Sequence, residues 1–180
     1  MTSTGSVTRP DAAAAAMAGV VAFFVARPLL PGGTAALIAM FGLLLIVGAA
    51  WPLTTDAGPA AAVFWPLVVG VGAFLLVRGV GGGFRMPVGP RYATAIVLAP
   101  IAEELFFRRF VYGVLRPGGV ALAIGGSTVL FALAHVTVYG WWVLPLDLAA
   151  GLILGWQRWA SGTWVVPAAT HVVANLLIVL

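Results

Sequence analysis

Few side chains in this sequence can do chemistry, and most of them fall in three otherwise apolar segments. The first segment contains two adjacent carboxylates and a guanidinium, Glu103, Glu104 and Arg108. The other two contain the only histidines of the chain, His135 and His171. An ionisable group at the centre of a bilayer costs at least ~2.5–3.5 kcal/mol on insertion scales, so such groups indicate function. We therefore expect the three segments to form one polar site.

Helical spacing decides which of these groups can meet locally. Glu104 and Arg108 are four residues apart, so they can pair on one face of a helix. Adjacent helical residues point about 100° apart, so Glu103 turns away from this pair and has no local partner. The alternative is that Glu104 and Arg108 form a purely structural ion pair and that Glu103 is an additional carboxylate near a helix end.

The two histidines occur in similar settings. His135 follows Phe131 by four residues, and Asn175 follows His171 by four, so each pair shares one helical face. A lone buried histidine is more often a hydrogen-bonded core residue, which is the alternative for both. Because both histidines lie in apolar segments beside a buried carboxylate, the sequence favours a functional site.

A carboxylate, two imidazoles and an amide form a set that can hydrolyse a bond. Glu103 can take a proton from water, and His135 can share or orient that water. His171 and Asn175 can donate hydrogen bonds to a developing oxyanion. The chain has no cysteine, and Ser127 lies about two turns from His135, so cysteine and serine hydrolases are disfavoured.

A metal site is the alternative form of the same chemistry. Glu103, His135 and His171 match the ligand count of a catalytic zinc with an open fourth position. The His-Glu-x-x-His signature of common zinc proteases is absent from the sequence. Asn175 would be an unusual zinc ligand but a useful oxyanion donor, so we favour a metal-free site, with zinc as the alternative cofactor.

The composition sets the environment of these residues. Hydrophobic residues make up 62% of the chain and charged residues 8%, with nine arginines, five acidic residues and no lysine. Soluble domains carry roughly 25% charged residues, so a soluble, disordered or disulfide-stapled chain is excluded. The arginines are scattered, which indicates anchors at membrane ends and no nucleic-acid partner.

Seven apolar segments approach the length of about 20 residues that crosses a bilayer. The sequence therefore predicts an all-α fold, a polytopic transmembrane helix bundle of about seven spans that forms one integral membrane domain, 1–180. The predicted spans are 12–30, 34–51, 60–77, 92–115, 120–138, 143–159 and 163–180. Residues 79–91 are rich in glycine and proline, which predicts a loop, and the nearby arginines favour a cytoplasmic position for it.

Two further features concern the sixth predicted helix. Asp147 lies near its start and is predicted to be a structural carboxylate, hydrogen-bonded to neighbours near the membrane surface. Gly151 and Gly155 are four residues apart, a spacing that favours close packing against another helix.

Together the three segments resemble the CPBP family, which includes CAAX-type prenyl endopeptidases and bacteriocin-processing or immunity proteins and is also called the Abi family. The resemblance covers about residues 91–180, and residues 1–90 match only in hydropathy. The motifs that carry it are, in chain order, Glu103 and Glu104 with Arg108, Phe131 with His135, and His171 with Asn175.

The resemblance implies an intramembrane endopeptidase with N-terminal spans at 1–90 and a catalytic half at 91–180. It implies Glu103 as the catalytic acid with His135 as its partner, and His171 and Asn175 as oxyanion contacts. The supporting motif residues would be Glu104, Arg108 and Phe131. The family is often called a metalloprotease, although a metal-free glutamate mechanism is also argued for it. The expected partners are the lipid bilayer and a membrane-associated peptide or protein substrate, and the expected location is the cytoplasmic membrane.

Two other functional classes use the same polar residues. A proton-coupled transporter would usually show internal repeats and broken helices in matching positions, and this sequence shows no repeat. A non-catalytic membrane scaffold or immunity factor would not require Glu103 for its function.

Overall fold

The computed structural model describes residues 10–26, 34–51, 63–80 and 93–179, and within these ranges the chain forms helices and short connections without strands. This confirms the all-α fold. In these described ranges seven helices follow one another, and their ends lie within about four residues of the predicted ends. They are α1 (Pro10–Ala26), α2 (Thr34–Ala50), α3 (Phe64–Val80), α4 (beginning at Ala93 and ending at Leu115), α5 (Val120–Tyr139), α6 (Leu144–Ser161) and α7 (Val165–Val179).

The membrane-spanning count stays a prediction. In the described part of the chain, α5 alone combines the length and the apolar composition needed to cross a bilayer. Shorter apolar stretches occur at Ala13–Ala22, Ile38–Ala50, Phe64–Val80 and Val165–Val179. Most of the predicted loop at 79–91, including Arg85 and Arg91, lies outside the described residues, so its expected cytoplasmic position also stays a prediction.

Glycines define both ends of α5. Gly119 and Gly140 have φ angles of 109° and 89°, a region that residues with a β-carbon rarely adopt. The amide of Gly140 donates to the carbonyl of Val136 at 2.8 Å and closes the last turn. These two sharp turns place α4, α5 and α6 side by side, which brings their polar residues within reach of one another.

Close packing of α5 against α6 depends on the two glycines of α6. A β-carbon at Gly151 would lie 2.9 Å from Cγ2 of Thr128, and one at Gly155 would lie 3.0 Å from Cγ2 of Ile124. Both distances are shorter than ordinary van der Waals contact, so the two helices approach at these positions because side chains are missing. The predicted packing role of the glycines is confirmed.

The middle of α4 departs from the expected regular helix. Leu105–Val111 is π-helical, and the amide of Tyr112 donates to the carbonyl of Phe107, five residues earlier. Such widened turns are rare and occur often at functional sites. The aromatic residues of this segment, Phe106, Phe107 and Phe110, pack with Phe131 of α5 and with residues of α1 and α2 in the hydrophobic core.

Candidate active site

A buried ion pair on α4 lies at the bottom of the site. Glu104 and Arg108 are both fully buried, and Arg108 Nε lies 3.4 Å from Glu104 Oε2, as their spacing predicts. Glu104 Oε1 accepts a hydrogen bond from His171 Nδ1 at 3.0 Å. Arg108 Nη2 donates to the carbonyl oxygen of Gly151 at 3.2 Å. The pair therefore connects α4 to both α6 and α7.

Glu103 faces the two histidines on the accessible side of the same helix. Its Oε2 lies 3.8 Å from His135 Nε2 and 3.7 Å from His171 Nε2. The side chains of Glu103, His135 and His171 retain 14%, 18% and 10% of their exposure, whereas Glu104 and Arg108 retain none. Only the first three can therefore meet water or a substrate. The structure thus brings these three residues of α4, α5 and α7 together, and their assignment as catalytic residues stays a prediction.

The hydrogen bonds of the two imidazoles indicate that Nδ1 of each ring is a donor. His135 Nδ1 lies 3.0 Å from the carbonyl oxygen of Phe131, which can only accept. His171 Nδ1 lies 3.0 Å from Glu104, whose carboxylate accepts while it pairs with Arg108. A neutral imidazole carries one proton, which is then on Nδ1. The Nε2 atom that faces Glu103 is therefore unprotonated.

This arrangement directs three acceptors at one place. The carboxylate of Glu103 and the two unprotonated Nε2 atoms cannot hydrogen-bond one another. Either hydrogen atoms of water, an added proton or a metal ion must join them. A water molecule that donates to Glu103 and His135 is placed to lose a proton, and a second proton on His171 turns its Nε2 into a donor. The site can therefore supply a base and an oxyanion donor side by side.

Phe131 contacts both accessible and buried residues of the site. Its ring centroid lies 4.3 Å from that of His135 and 5.7 Å from that of His171. On the buried side, the guanidinium carbon of Arg108 lies 4.9 Å from the same centroid. The ring is 2% exposed, and its expected supporting role stays a prediction.

A small cavity of about 70 Å³ opens at Glu103 and His135. His171 and Asn175 do not line it. Asn175 lies one turn after His171 on α7 and is half-buried, and its expected role at an oxyanion stays a prediction. The remaining walls are mostly apolar and come from α2, α4 and α5; they are Met40, Phe41, Phe107, Ala134, Val138 and Tyr139.

The fit of a metal can be judged from the donor atoms. Among the described residues, no group of three or more histidine, aspartate or glutamate side chains converges closely enough to hold a metal ion. The donor types of Glu103, His135 and His171 nevertheless suit zinc, whose tetrahedral ligands at ~2.0–2.1 Å lie roughly 3.4 Å apart. The observed separations of 3.8 and 3.7 Å from Glu103 to the two histidines are longer than this, so the donors would have to move closer together to hold zinc. Zinc held by these three residues would polarise a bound water.

Asp147 lies closer to this site than its sequence position indicated. In the first turn of α6, it interacts electrostatically with His135, Glu103 and His171. Its Oδ2 is buried and has no hydrogen-bond partner in the part of the chain that the structure describes. The expected carboxylate bonded to its neighbours is therefore not found at this oxygen. The tight turn at Gly140 brings the start of α6 back towards the histidine end of α5, and no local motif signals that proximity.

The expectation that the scattered arginines anchor the ends of helices at the membrane surface is wrong for Arg158. It is 3% exposed, and its Nε donates to the carbonyl oxygen of Arg108 at 3.0 Å. Its guanidinium carbon lies 4.9 Å from the ring centroid of Tyr112. The end of α6 packs against α4 at this point, so the guanidinium is directed into the bundle.

Comparison with known proteins indicates one family. The chain matches the family model described as type II CAAX prenyl endopeptidase Rce1-like over residues 87–177, about half of its length. It is also 35% identical over 80 residues to UPF0177 protein YxdF of Lactococcus lactis subsp. lactis (strain IL1403). That alignment covers 44% of this chain and 43% of the relative, less than half of either. No solved structure matches the chain.

Proposed function

Because the chain belongs to the Rce1-like family of type II CAAX prenyl endopeptidases, we propose that it is an intramembrane endopeptidase that hydrolyses a peptide bond with an activated water. The observation that carries this proposal is the position of Glu103, whose Oε2 lies 3.8 and 3.7 Å from the Nε2 atoms of His135 and His171. The family consists of integral membrane proteins. We propose that this chain lies in the cytoplasmic membrane.

The hydrogen-bond assignments at the two histidines support the following reaction. Glu103 takes a proton from a water that His135 orients through Nε2, and the resulting hydroxide attacks the carbonyl carbon of the scissile bond. His171, protonated on both nitrogens, and Asn175 donate to the oxyanion that forms. Glu103 then returns its proton to the leaving amine, so the carboxylate serves first as base and afterwards as acid.

Glu104 acts in this scheme through His171. Its 3.0 Å hydrogen bond with Nδ1 orients the imidazole so that Nε2 faces Glu103, and its negative charge stabilises the doubly protonated ring. Arg108 holds Glu104 in turn, at 3.4 Å. A group that is oriented by a second buried group loses little freedom when the transition state forms.

The proposed substrate is a peptide or protein associated with the membrane. The walls of the cavity beside Glu103 are mostly apolar, with Met40 and Phe41 from α2 and Phe107 from α4. Such walls favour an apolar side chain next to the cleaved bond, because its burial contributes roughly 25 cal/mol per Å².

The test is cleavage by the purified chain in detergent. A library of membrane-anchored peptides is incubated with the wild type and with Glu103→Ala, and the products are identified by mass spectrometry. We expect cleavage at a defined bond by the wild type alone. No cleavage by a folded wild type, or equal cleavage by the variant, would reject the protease and favour the scaffold class.

Removal of metal separates the two forms of water activation. We expect activity to survive a chelator and the active protein to hold no stoichiometric zinc, because His171 can donate to an oxyanion through Nε2 only if that atom binds no metal. Elemental analysis of active protein and assays before and after chelation measure this. The result would instead show that zinc activates the water if the protein held one zinc per chain and a chelator removed the activity that zinc alone restored.

A further inference from the structure

A buried arginine outside the three motifs contacts the segment that carries the site. Arg158 lies in the last turn of α6. Its Nε donates to the carbonyl oxygen of Arg108, and its guanidinium carbon lies over the ring of Tyr112, which is itself fully buried. A charge in such surroundings is costly unless its contacts are well formed, so these contacts constrain the packing of α6 on α4.

Arg108 and Arg158 connect α4 and α6 in both directions. Arg108 on α4 donates to the carbonyl oxygen of Gly151 on α6 at 3.2 Å. Arg158 on α6 donates to the carbonyl oxygen of Arg108 itself at 3.0 Å. Gly151 and Arg158 are about two helical turns apart and lie on the same side of α6. Two bonds of opposite direction restrict both the rotation and the axial position of α4 relative to α6.

The carbonyl group that Arg158 binds belongs to the π-helical segment Leu105–Val111. A π-helical turn is rare because its hydrogen-bond spacing is less favourable than that of an α-helix, so it usually depends on its surroundings. Arg158 contacts this segment within it, at Arg108, and just after it, at Tyr112. It therefore supports the widened turn from which the side chain of Arg108 reaches Glu104.

We propose that Arg158 is a positioning residue of the active site. It holds the backbone of Arg108, whose guanidinium pairs with Glu104 at 3.4 Å, and Glu104 orients His171 at 3.0 Å. Loss of Arg158 lets the π-helical turn relax, which moves Glu104. The imidazole of His171 then turns so that its Nε2 no longer faces Glu103. The effect on cleavage rests on the proposed function, whereas the effect on His171 can be measured without any substrate.

The experiment compares Arg158→Gln and Arg158→Lys with the wild type in two measurements. The chain has two histidines, so isotope-labelled imidazoles give separate NMR signals, assigned with a His135→Gln variant. We expect Arg158→Gln to displace the Nδ1–H resonance of His171 and to lower kcat roughly ten- to a hundredfold with little change in KM. Lysine keeps a donor but not the planar guanidinium. Arg158→Lys should therefore displace the His171 resonance less than Arg158→Gln does, and its kcat should be partly restored.

Arg109→Gln is the matched control. Arg109 Nη2 donates to the carbonyl oxygens of Ala49 and Trp51 at 3.2 and 2.8 Å, so it ties the same segment to α2 and not to α6. This variant should lower stability and leave the His171 resonance in place. An equal displacement in the control, or an unchanged resonance and kcat in Arg158→Gln, would overturn the proposal.

Two remaining outcomes are also decisive. If Arg158→Gln does not fold, Arg158→Lys decides: a displaced His171 resonance supports the positioning role, and an unchanged resonance with unchanged kcat contradicts it. If the folded wild type cleaves nothing, the proposed function fails, and the NMR comparison still determines whether Arg158 positions His171.

Discussion

Replacing Glu103 by glutamine should reduce kcat/KM for peptide cleavage by ~10²–10⁴. Glutamine has nearly the size of glutamate and still forms hydrogen bonds, but its amide cannot take a proton from water. The carboxylate that would be lost lies, through its Oε2, 3.8 and 3.7 Å from the two imidazole Nε2 atoms. The rate is measured with a peptide that the wild type cleaves, in the same detergent and at equal amounts of folded protein.

Asp147→Asn provides the matched control for the loss of a negative charge near the histidines. Asp147 interacts electrostatically with His135 and His171 but stands outside the proposed mechanism. We expect this variant to keep at least about a tenth of the activity, since it retains the base. If Glu103→Gln kept as much activity as Asp147→Asn at a normal melting temperature, Glu103 would not be the base.

Replacing Arg108 by alanine should lower the free energy of unfolding by ~3–5 kcal/mol, because it leaves the carboxylate of Glu104 buried without its cation. Both side chains of this pair are fully buried, so solvent cannot replace the lost partner. The variant also loses the hydrogen bond from Arg108 Nη2 to Gly151. Folded yield and thermal unfolding in detergent measure the effect, and full expression with an unchanged melting curve would contradict a structural role for Arg108.

A double variant distinguishes stability from activity at the same pair. In Glu104→Leu with Arg108→Met, both charges are removed together, which costs less than removal of one partner. We expect it to fold better than Arg108→Ala and to remain poorly active, because His171 Nδ1 has lost the carboxylate that accepts its hydrogen bond. Recovery of full activity in the double variant would show that Glu104 does not orient His171.

Contacts within one helix could be predicted from the sequence. Glu104 and Arg108 pair as their spacing predicts, because residues four apart on a helix are neighbours. The same spacing places Phe131 beside His135, and the small side chains of Gly151 and Gly155 indicate close packing without naming the partner helix. The polar residues of apolar helices also had to converge, since lipid offers them no partner.

Tertiary packing alone determined which residues meet between helices. The sequence does not show that His171 bonds to Glu104 as well as facing Glu103, that Asp147 approaches the histidines, or that Arg158 is buried against α4. Each of these contacts depends on the rotation and axial position of two helices. A change of one residue in register turns a side chain by about 100°, and apolar helices offer many registers of similar energy. The packing at Gly151, the π-helical turn and the two arginine bonds favour one register, because these contacts form only when α4, α5 and α6 are aligned as observed.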